Sequence, residues 1–353
     1  MSGTAYDPQV SASPRRTAQR VTLAQVAARA GVSVGAVSQV LNDHPSSRMS
    51  PEARGRILAA VDELGYRPNL VARSLRTART DTYGFVSDSV TITRHASGIL
   101  RGALAAARDA DSFLLIAETA GDPAQEQDAI RSLLDRGVDG IVFAAMKSRE
   151  PLAHLLPPGL RTVNVNVADP RTASVLPDEF EGGRHAVHVL ADAGHVGIAL
   201  VGSGIDDVGP DVSYTARRRL EGIAAATAER GVDVVAAVPC DDWQVEVGLA
   251  AVRELLTRSR PTALLCLNDR LAVGAYHALA EAGLRVPQDV SVASFDDDEI
   301  AATLRPGLTT VAIPHEEMGR LAVELLLSGD ELPGGDVLVS MALHERASVA
   351  RPR

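Results

Sequence analysis

The clearest hydrophobic pattern near the start of the chain lies in residues 21–42, VTLAQVAARAGVSVGAVSQVLN. Apolar residues recur every three to four positions in each half of this stretch, which predicts two amphipathic helices. Thr22 and Ser33 stand where N-caps are expected, and Gly31 is placed to end the first helix. Because the connection is so short, the two helices must cross steeply, and their spacing is that of a helix-turn-helix.

Helical periodicity continues beyond this pair. A third helix is predicted over residues 51–64, where Ser50 can act as its N-cap and its apolar face can complete a small three-helix core. Residues 1–20 lack periodicity and are predicted to form a disordered tail. After Pro68, residues 70–76 favour a helix that is too short to be stable alone.

From residue 81 onward, short apolar runs alternate with helical patterns. Such runs are typical of buried parallel strands, and their alternation with helices predicts a doubly wound α/β fold. About 270 residues are long for a single open sheet, so two lobes with a ligand cleft between them fit better. The predicted strands are 82–88, 112–118, 139–145, 161–167, 196–202, 232–238, 262–267, 289–295, 337–339 and 343–347; the predicted helices are 96–110, 123–136, 179–193, 214–230, 243–258, 270–282 and 316–327.

Charge is divided unevenly along the chain, whose formal net charge is −10. The first 79 residues contain eleven arginines and five acidic residues, a net charge of +6, so the remainder carries −16. A basic amino-terminal segment suits contact with DNA phosphates. The charge distribution therefore supports a DNA-binding role for the helix-turn-helix.

Composition and motifs restrict the remaining functions. The sequence shows neither a signal peptide nor an apolar run long enough to cross a membrane, which predicts a cytoplasmic protein without membrane contact. Cys240 and Cys266 are too few for a disulfide framework or a zinc site. A Walker A sequence and a Gly-rich dinucleotide loop are both absent from the sequence. We therefore expect no cofactor, no metal and no enzymatic activity.

The second helix of a helix-turn-helix lies in the major groove and reads base edges. Glutamine pairs well with adenine, which favours A·T at the operator position opposite Gln39. Gly35 carries no side chain and weakens its helix by about 1 kcal/mol relative to alanine. An ordinary helical hairpin without DNA contact is the alternative. The predicted base-reading residues are Val34, Gly35, Ser38 and Gln39.

Over residues 21–349 the chain resembles the LacI/GalR (lactose-repressor) family of transcriptional regulators. The resemblance rests on motifs in the same order and spacing, among them VTLAQVAARAGVS, VSQVLN, SPEARGRILAAVDELGYRPNLVARSL, GDPAQEQ, VDGIV, TARRRLEGI, LNDRLAVGA and GLRVPQDVSVASFDD. It implies a homodimer, with a tetramer as the alternative, whose two headpieces bind a pseudo-palindromic double-stranded operator. It also implies a repressor controlled by a small effector, with a sugar as the expected class.

With this resemblance the domain organisation becomes specific. An all-α helix-turn-helix headpiece is followed by a hinge helix and by a two-lobed effector domain similar to periplasmic binding proteins, which also carries the dimerisation surface. The predicted boundaries are 1–20 for the tail, 21–67 for the headpiece, 68–80 for the hinge helix and linker, and 81–353 for the effector domain; lobe 1 comprises about 81–167 and 309–330, and lobe 2 about 168–308 and 331–349.

The resemblance extends the predicted DNA contacts beyond the second helix. In the family, the segment matching residues 68–75 folds into a hinge helix on DNA, and the leucine matching Leu75 enters the minor groove. A helix that is unstable alone can fold when DNA stabilises it, and an apolar wedge can kink the duplex. The full predicted set is Thr22, Val34, Gly35, Ser38, Gln39, Asn42, Asn69, Ala72 and Leu75.

By the same resemblance, Arg217 contacts sugar hydroxyls, and Asn268 and Asp296 lie on strand-end loops. Carboxylate, amide and guanidinium groups offer paired donors and acceptors to hydroxyls, and an indole face can stack on a sugar ring. Alternatively, Arg217 is solvated and Trp243 packs in the core. The predicted effector-binding residues are Asp88, Arg217, Trp243, Asn268 and Asp296.

Two alternatives stay open for the ligand and for the control of the protein. Arg94 and His95 replace an aromatic-rich stretch that is frequent in the family, which either favours an acidic or phosphorylated ligand or marks an exposed loop. A regulator controlled by a protein or a phosphorylated coregulator is the main alternative function. The acidic run 296–298 is better explained by ligand hydrogen bonds and a helix cap than by a metal.

Overall fold

A computed structural model describes residues 21–41, 49–67, 79–91, 93, 96–146, 155–203 and 213–353. The predicted tail and residues 68–78 of the predicted hinge and linker lie outside the described residues. The chain divides into two compact units, Met1–Ala78 and Arg79–Arg353. Among the described helices, none is long and apolar enough to cross a membrane.

The first unit is built from α1 (Leu23–Ala30), α2 (Val34–Leu41) and α3 (Pro51–Leu64). A capping box starts α1, in which the Gln25 amide donates to Thr22 Oγ1 (3.4 Å) and the Thr22 amide donates to Gln25 Oε1 (2.8 Å). Gly31 has a left-handed backbone (φ 67°) that ends α1 and turns the chain into α2. One fully buried side chain from each helix enters the core: Val26, Val37 and Ile57. The predicted helix-turn-helix is confirmed.

The second unit alternates strands and helices. Its strands are β1 (Thr82–Ser87), β2 (Phe113–Glu118), β3 (Gly140–Ala144), β4 (Arg161–Val165), β5 (Ala173–Pro177), β6 (Gly197–Gly202), β7 (Asp233–Pro239), β8 (Ala263–Cys266), β9 (Ser291–Asp296), β10 (Thr309–Ala312), β11 (Asp336–Val339) and β12 (Leu343–His344). Its helices are α4 (Ser97–Asp109), α5 (Pro123–Asp135), α6 (Glu179–Asp192), α7 (Tyr214–Arg230), α8 (Val245–Arg258), α9 (Asp269–Glu281), α10 (Glu299–Thr303) and α11 (His315–Leu327).

Two six-stranded sheets define the two lobes of this unit. The sheet of lobe 1 has the order β11-β5-β4-β3-β1-β2, and the sheet of lobe 2 has the order β12-β10-β9-β8-β6-β7. The pairs of described strands are parallel, apart from β10 with the short β12. Apolar side chains of α4 and α11 pack on one face of the first sheet. The doubly wound, two-lobed class predicted from the sequence is confirmed.

The predicted division of the chain between the lobes is wrong at three strands. Residues 173–177 were not predicted to form a strand, but they form β5. Both β5 and β11 lie in ranges that were assigned to lobe 2, yet they pair with each other in the first sheet, Val175 opposite Val337. β10 was assigned to lobe 1 but pairs with β9 in the second sheet, Thr310 opposite Ser294. Such pairings join distant parts of the chain, so the local hydrophobic pattern carries no information about them. The chain consequently crosses between the lobes after β5, after β10 and after β11.

Candidate functional site

The predicted base-reading residues lie on the outward face of α2. Ser33 Oγ accepts a hydrogen bond from the Ala36 amide (3.2 Å) and so fixes the start of this helix. The buried face of α2 carries Val37 and Val40. The opposite face presents the predicted residues, of which Ser38 is half-buried and the others are exposed: Val34, Gly35 and Gln39.

Thr22, predicted to contact DNA, has a structural role within the headpiece. Its hydroxyl accepts from the Gln25 amide and lies 3.2 Å from Gln25 Oε1, to which it donates. The capping box therefore occupies the side chain of Thr22. The remaining predicted DNA-binding residues lie outside the described residues: Asn42, Asn69, Ala72 and Leu75.

Replacing Gln39 with alanine is expected to remove discrimination at one operator base pair. A bidentate contact of this kind distinguishes bases by about 1–3 kcal/mol, whereas phosphate contacts that give general affinity are untouched. Fluorescence anisotropy with operators changed at single base pairs measures the effect. If the variant keeps the base preferences of the original protein at every position, Gln39 does not read a base.

Four predicted effector-binding residues follow the carboxyl ends of strands in the second sheet. Asp296 ends β9, Asn268 follows β8, Trp243 follows β7, and Arg217 lies in the first turns of α7 after β6. Strands β9, β8, β6 and β7 are neighbours in that order, so these residues share one edge of lobe 2. In parallel sheets this is the edge at which ligands bind. The fifth residue, Asp88, follows β1 in lobe 1.

Asn268 organises the edge from within. Its Oδ1 accepts from the Leu271 amide (2.8 Å) and caps α9, while its Nδ2 donates to the Trp243 carbonyl (3.1 Å). Trp243 Nε1 donates to the Gly202 carbonyl (3.2 Å), and the half-buried indole packs against the lobe 2 core. Both ends of the Asn268 amide are thus engaged by protein, so its evident role is to hold the loop that carries Trp243.

Arg217 and Asp88 differ in whether protein groups already form hydrogen bonds with their side chains. The Nε atom of half-buried Arg217 is buried without a hydrogen-bond partner among the described residues. Since buried donors are normally satisfied, this N–H is suited to a bound ligand. Asp88 Oδ1 accepts from the Met146 amide (2.9 Å) and from Ser89 Oγ (3.3 Å), which ties the ends of β1 and β3 together.

Arg219 is a charged residue of this edge that the sequence analysis missed. It is 4 % exposed, and its Nε and Nη2 donate to the two oxygens of buried Glu179 at 2.6 and 2.7 Å. Its Nη1 donates to the Leu267 carbonyl, and its guanidinium lies 4.3 Å from the centre of the Phe295 ring. The run RRR conceals it, but Arg219 lies four residues before Ile223, on the buried face of α7.

Two further carboxyl groups lie close to Arg219. Burial raises the pKa of Asp296 well above its ordinary value; the charge of Arg219 opposes this rise, and nearby Asp269 and Glu179 add to it. Burial also raises the pKa of Asp269 to about 6. Asp269 accepts hydrogen bonds from Ser294 Oγ, from Thr310 Oγ1 (2.8 Å) and from the Asp298 amide (2.8 Å). Among the described residues of this edge, more carboxyl groups than guanidinium groups are therefore buried.

Replacing Asp269 with asparagine is expected to change how stability depends on pH. A folded-state pKa of about 6, against an ordinary 3.8, gives a contribution that is fully present below pH 3.8 and is lost as the pH rises through about 6. The loss in the original protein is on the order of 1–3 kcal/mol. The amide can direct its oxygen to the Asp298 amide and its NH2 group to the hydroxyls of Ser294 and Thr310.

Urea denaturation of both proteins at several pH values between 4 and 7 measures the difference in unfolding free energy. We expect this difference to move in favour of Asp269→Asn as the pH rises. A difference that stays constant across the range would contradict the raised pKa of Asp269.

A cavity of about 700 Å³ opens between the lobes beside these groups. Lobe 2 contributes the acidic run from Asp296 to Glu299, and lobe 1 contributes residues of α4 and α11, among them Arg101 and His315. Of the five predicted effector-binding residues, Asp296 lines this cavity. The other four are not among its described lining residues: Asp88, Arg217, Trp243 and Asn268. Asp296 and Asp297 both have positive φ, 109° and 55°, conformations that non-glycine residues adopt where surrounding structure holds them.

Comparison with known proteins is consistent across both units. Residues 22–69 match the model of bacterial regulatory proteins, lacI family, and residues 187–349 match a periplasmic binding protein-like domain. The ribose operon repressor of Escherichia coli (strain K12) is 33% identical over 313 residues, which is 87% of this chain and 92% of that protein. The HTH-type transcriptional regulator CelR of Thermobifida fusca is 32% identical over 320 residues, 88% of this chain and 92% of that protein.

Solved structures agree with this result. The lac repressor dimer bound to operator and the anti-inducer ONPF matches with a TM-score of 0.75 and 27% identity, covering 94% of this chain and 100% of the other. A transcriptional regulator CelR–cellobiose complex matches with a TM-score of 0.62 and 28% identity, covering 93% and 100%. With its helix-turn-helix and two-lobed α/β unit, the chain belongs to the LacI family of DNA-binding transcriptional regulators.

Proposed function

We propose that this protein is a repressor that binds its operator as a homodimer, in the cytoplasm, and releases it when a neutral sugar binds between the two lobes. The observation that carries the proposal is the group of carboxyls at the edge of lobe 2, the buried Glu179 and Asp269 and the half-buried Asp296, beside the buried guanidinium of Arg219. The names of its relatives support the same class of effector, since they include a ribose operon repressor and a regulator in complex with cellobiose.

The chemistry of the edge suits hydroxyl groups. The Asp296 carboxyl lines the cavity and can exchange hydrogen bonds with hydroxyls, while Arg217 Nε offers a buried donor without a protein partner among the described residues. The half-buried indole of Trp243 supplies an apolar face of the kind that stacks on sugar rings. Donor, acceptor and stacking surface all belong to the same edge of lobe 2.

Charge argues against an anionic effector. Asp297, Asp298 and Glu299 line the cavity together with Asp296. The two arginines among its described lining residues are already paired, Arg101 with Glu316 at 3.2 Å and Arg320 with Glu317 and Glu324. A phosphorylated ligand in this space would lie close to several carboxylates and would be repelled. This favours a neutral polyol over a phosphorylated coregulator, the alternative raised by Arg94 and His95, which lie outside the described residues.

The proposed mechanism is a shift between two arrangements of the lobes. The lobes are joined by the crossings that follow β5, β10 and β11, so a ligand that contacts both lobes can favour one arrangement over the other. If the operator is bound tightly only in the other arrangement, ligand binding lowers operator affinity by the same coupling free energy. Allosteric coupling typically changes an affinity about 5- to 150-fold.

The test begins with selection of operator sequences from random DNA by the full-length protein. Fluorescence anisotropy of the selected operator is then followed with D-ribose, cellobiose and a wider panel of neutral sugars, each beside its phosphorylated form. We expect a neutral sugar to weaken operator binding about 5- to 150-fold. Release of the operator by phosphorylated sugars alone, or only by an added protein, would reject the neutral-sugar proposal. Tighter operator binding in the presence of a sugar would instead identify that sugar as a corepressor.

A further inference from the structure

One carboxylate fastens the first residues of the effector domain to lobe 1. Asp139 accepts a hydrogen bond from the Thr80 amide, which lies 3.0 Å from each of its oxygens, and another from the Asp81 amide at 2.8 Å. Asp139 directly precedes β3, and Thr80 and Asp81 directly precede β1. The contact therefore lies at the amino-terminal edge of the first sheet, opposite the edge that carries Asp88.

Additional hydrogen bonds close the same contact. Thr80 Oγ1 donates to the Gly137 carbonyl (2.9 Å) and accepts from the Thr82 amide (3.3 Å). The Asp139 amide in turn donates to the Thr82 carbonyl (2.8 Å). Asp81 has a left-handed backbone with φ of 52°, which a non-glycine residue keeps only where its neighbours hold it. Residues 80–82 and 137–139 thus bind each other in both directions.

This contact lies where the chain enters the effector domain from the headpiece, so it can influence operator binding. Residues 80–82 follow almost directly on the segment that joins the headpiece to the effector domain. A fixed starting point in lobe 1 lowers the entropy cost of binding both headpieces to one operator, because fewer exit directions of the chain have to be selected. The same fixed point would move with lobe 1 when the lobes change their arrangement.

We propose that Asp139 is a positioning residue for operator binding, because its carboxylate sets the point from which the chain leaves lobe 1 toward the headpiece. The inference rests on the proposed function of the protein as an operator-binding dimer. It assigns to Asp139 no contact with DNA or effector. Its action is through the backbone of Thr80 and Asp81.

The variant Asp139→Asn tests the proposal with little change in size. An amide keeps one oxygen acceptor but places an NH2 group against an N–H donor, so part of the amide contact is lost. The matched control is Asp289→Asn. Asp289 accepts from the amide and the Nε of Arg285, both at 2.9 Å, and lies shortly before β9 at the corresponding edge of lobe 2.

Three quantities are measured on the full-length proteins: hydrogen exchange at the Thr80 and Asp81 amides, affinity for the selected operator, and affinity for unrelated DNA. For Asp139→Asn we expect exchange at these amides at least tenfold faster, operator affinity about tenfold lower, and affinity for unrelated DNA unchanged. For Asp289→Asn we expect no change in affinity for the selected operator or for unrelated DNA. The milder variant Thr80→Ala should show the same direction with a smaller effect.

Faster exchange with unchanged operator affinity would overturn the inference, and so would exchange that does not change. An equal loss of affinity for operator and unrelated DNA would overturn it as well, because it would indicate general damage. If Asp139→Asn folds poorly, the same criteria apply to Thr80→Ala. An unmodified protein that shows no preference for any operator would instead overturn the proposed function, and this is seen before any variant is made.

Discussion

Replacing Arg219 with methionine is expected to lower the free energy of unfolding of the effector domain by about 3–5 kcal/mol. The methionine can occupy part of the same space, but buried Glu179 loses both of its charged hydrogen bonds, and Asp296 loses the nearby positive charge that opposes its protonation. Urea denaturation measures the loss. The loss should be smaller at pH 5 than at pH 8, because protonation neutralises the carboxyl groups left without a cation.

Arg253 provides the matched control for this substitution. It also forms a two-bond ion pair, in which Nε and Nη2 donate to Glu281 at 2.6 Å each, but both side chains are about half exposed. Exposed pairs contribute little because water solvates the separated charges. Arg253→Met should therefore have no measurable effect. Similar stability changes in the two variants would show that burial of the Arg219 pair is not what makes it important.

Replacing Gly102 with alanine is expected to destabilise the effector domain by about 3 kcal/mol or more. An added Cβ at Gly102 would lie 1.8 Å from the carbonyl oxygen of Glu316, and one at Gly319 would lie 1.8 Å from that of Ile99. The two glycines allow the backbones of α4 and α11 to touch where these helices cross. Because the obstacle is backbone and not a flexible side chain, the helices must separate to accept the methyl group.

Gly55 on α3 is the control for this second substitution. It is an exposed helical glycine with open space where its Cβ would be. Alanine there should stabilise the headpiece by up to about 1 kcal/mol, since glycine is the poorer helix former. Calorimetry of the intact chain can follow both variants. If Gly102→Ala unfolds at the same temperature as the original protein, the backbones of α4 and α11 do not approach each other as closely as described.

The crossing of α4 and α11 also bears on regulation. α11 begins directly after the crossing of the chain from β10 to lobe 1, and His315 at its start lines the cavity between the lobes. Because the backbones of α4 and α11 touch at Gly102 and Gly319, a displacement of α11 would displace α4 with it.

Several site residues could be predicted from their place in the chain, but their partners could not. The sequence locates Asn268, Trp243 and Asp296 just after apolar runs, and parallel strands bring such positions to one edge. Whether a polar group there faces a ligand or the protein depends on neighbours from other strands. Asn268 illustrates this, because its amide is engaged by α9 and by the Trp243 loop.

The arginines of α7 also show that the sequence does not reveal which partners a side chain contacts. Arg217 and Arg219 differ by two positions, which on a helix separates them by about 200°. The motif TARRRLEGI indicates that an arginine matters here, but only the packing of α7 shows that Arg219 is buried beside Glu179 and that Arg217 is half-buried with one unpaired donor. The structure thus divides between two residues what the sequence assigned to one.

By itself the sequence determined most of the helices and strands, apart from the strand β5 and the short helix α10, together with the caps at Thr22, Ser33 and Ser50 and the family to which the chain belongs. These features depend on local periodicity and on motifs that are read in order along the chain. Only the tertiary structure decided which lobe holds β5, β10 and β11 and which carboxyls surround Arg219. The reason is physical: strand pairing and buried charge balance depend on residues that are far apart in the chain, and no local pattern records such neighbours.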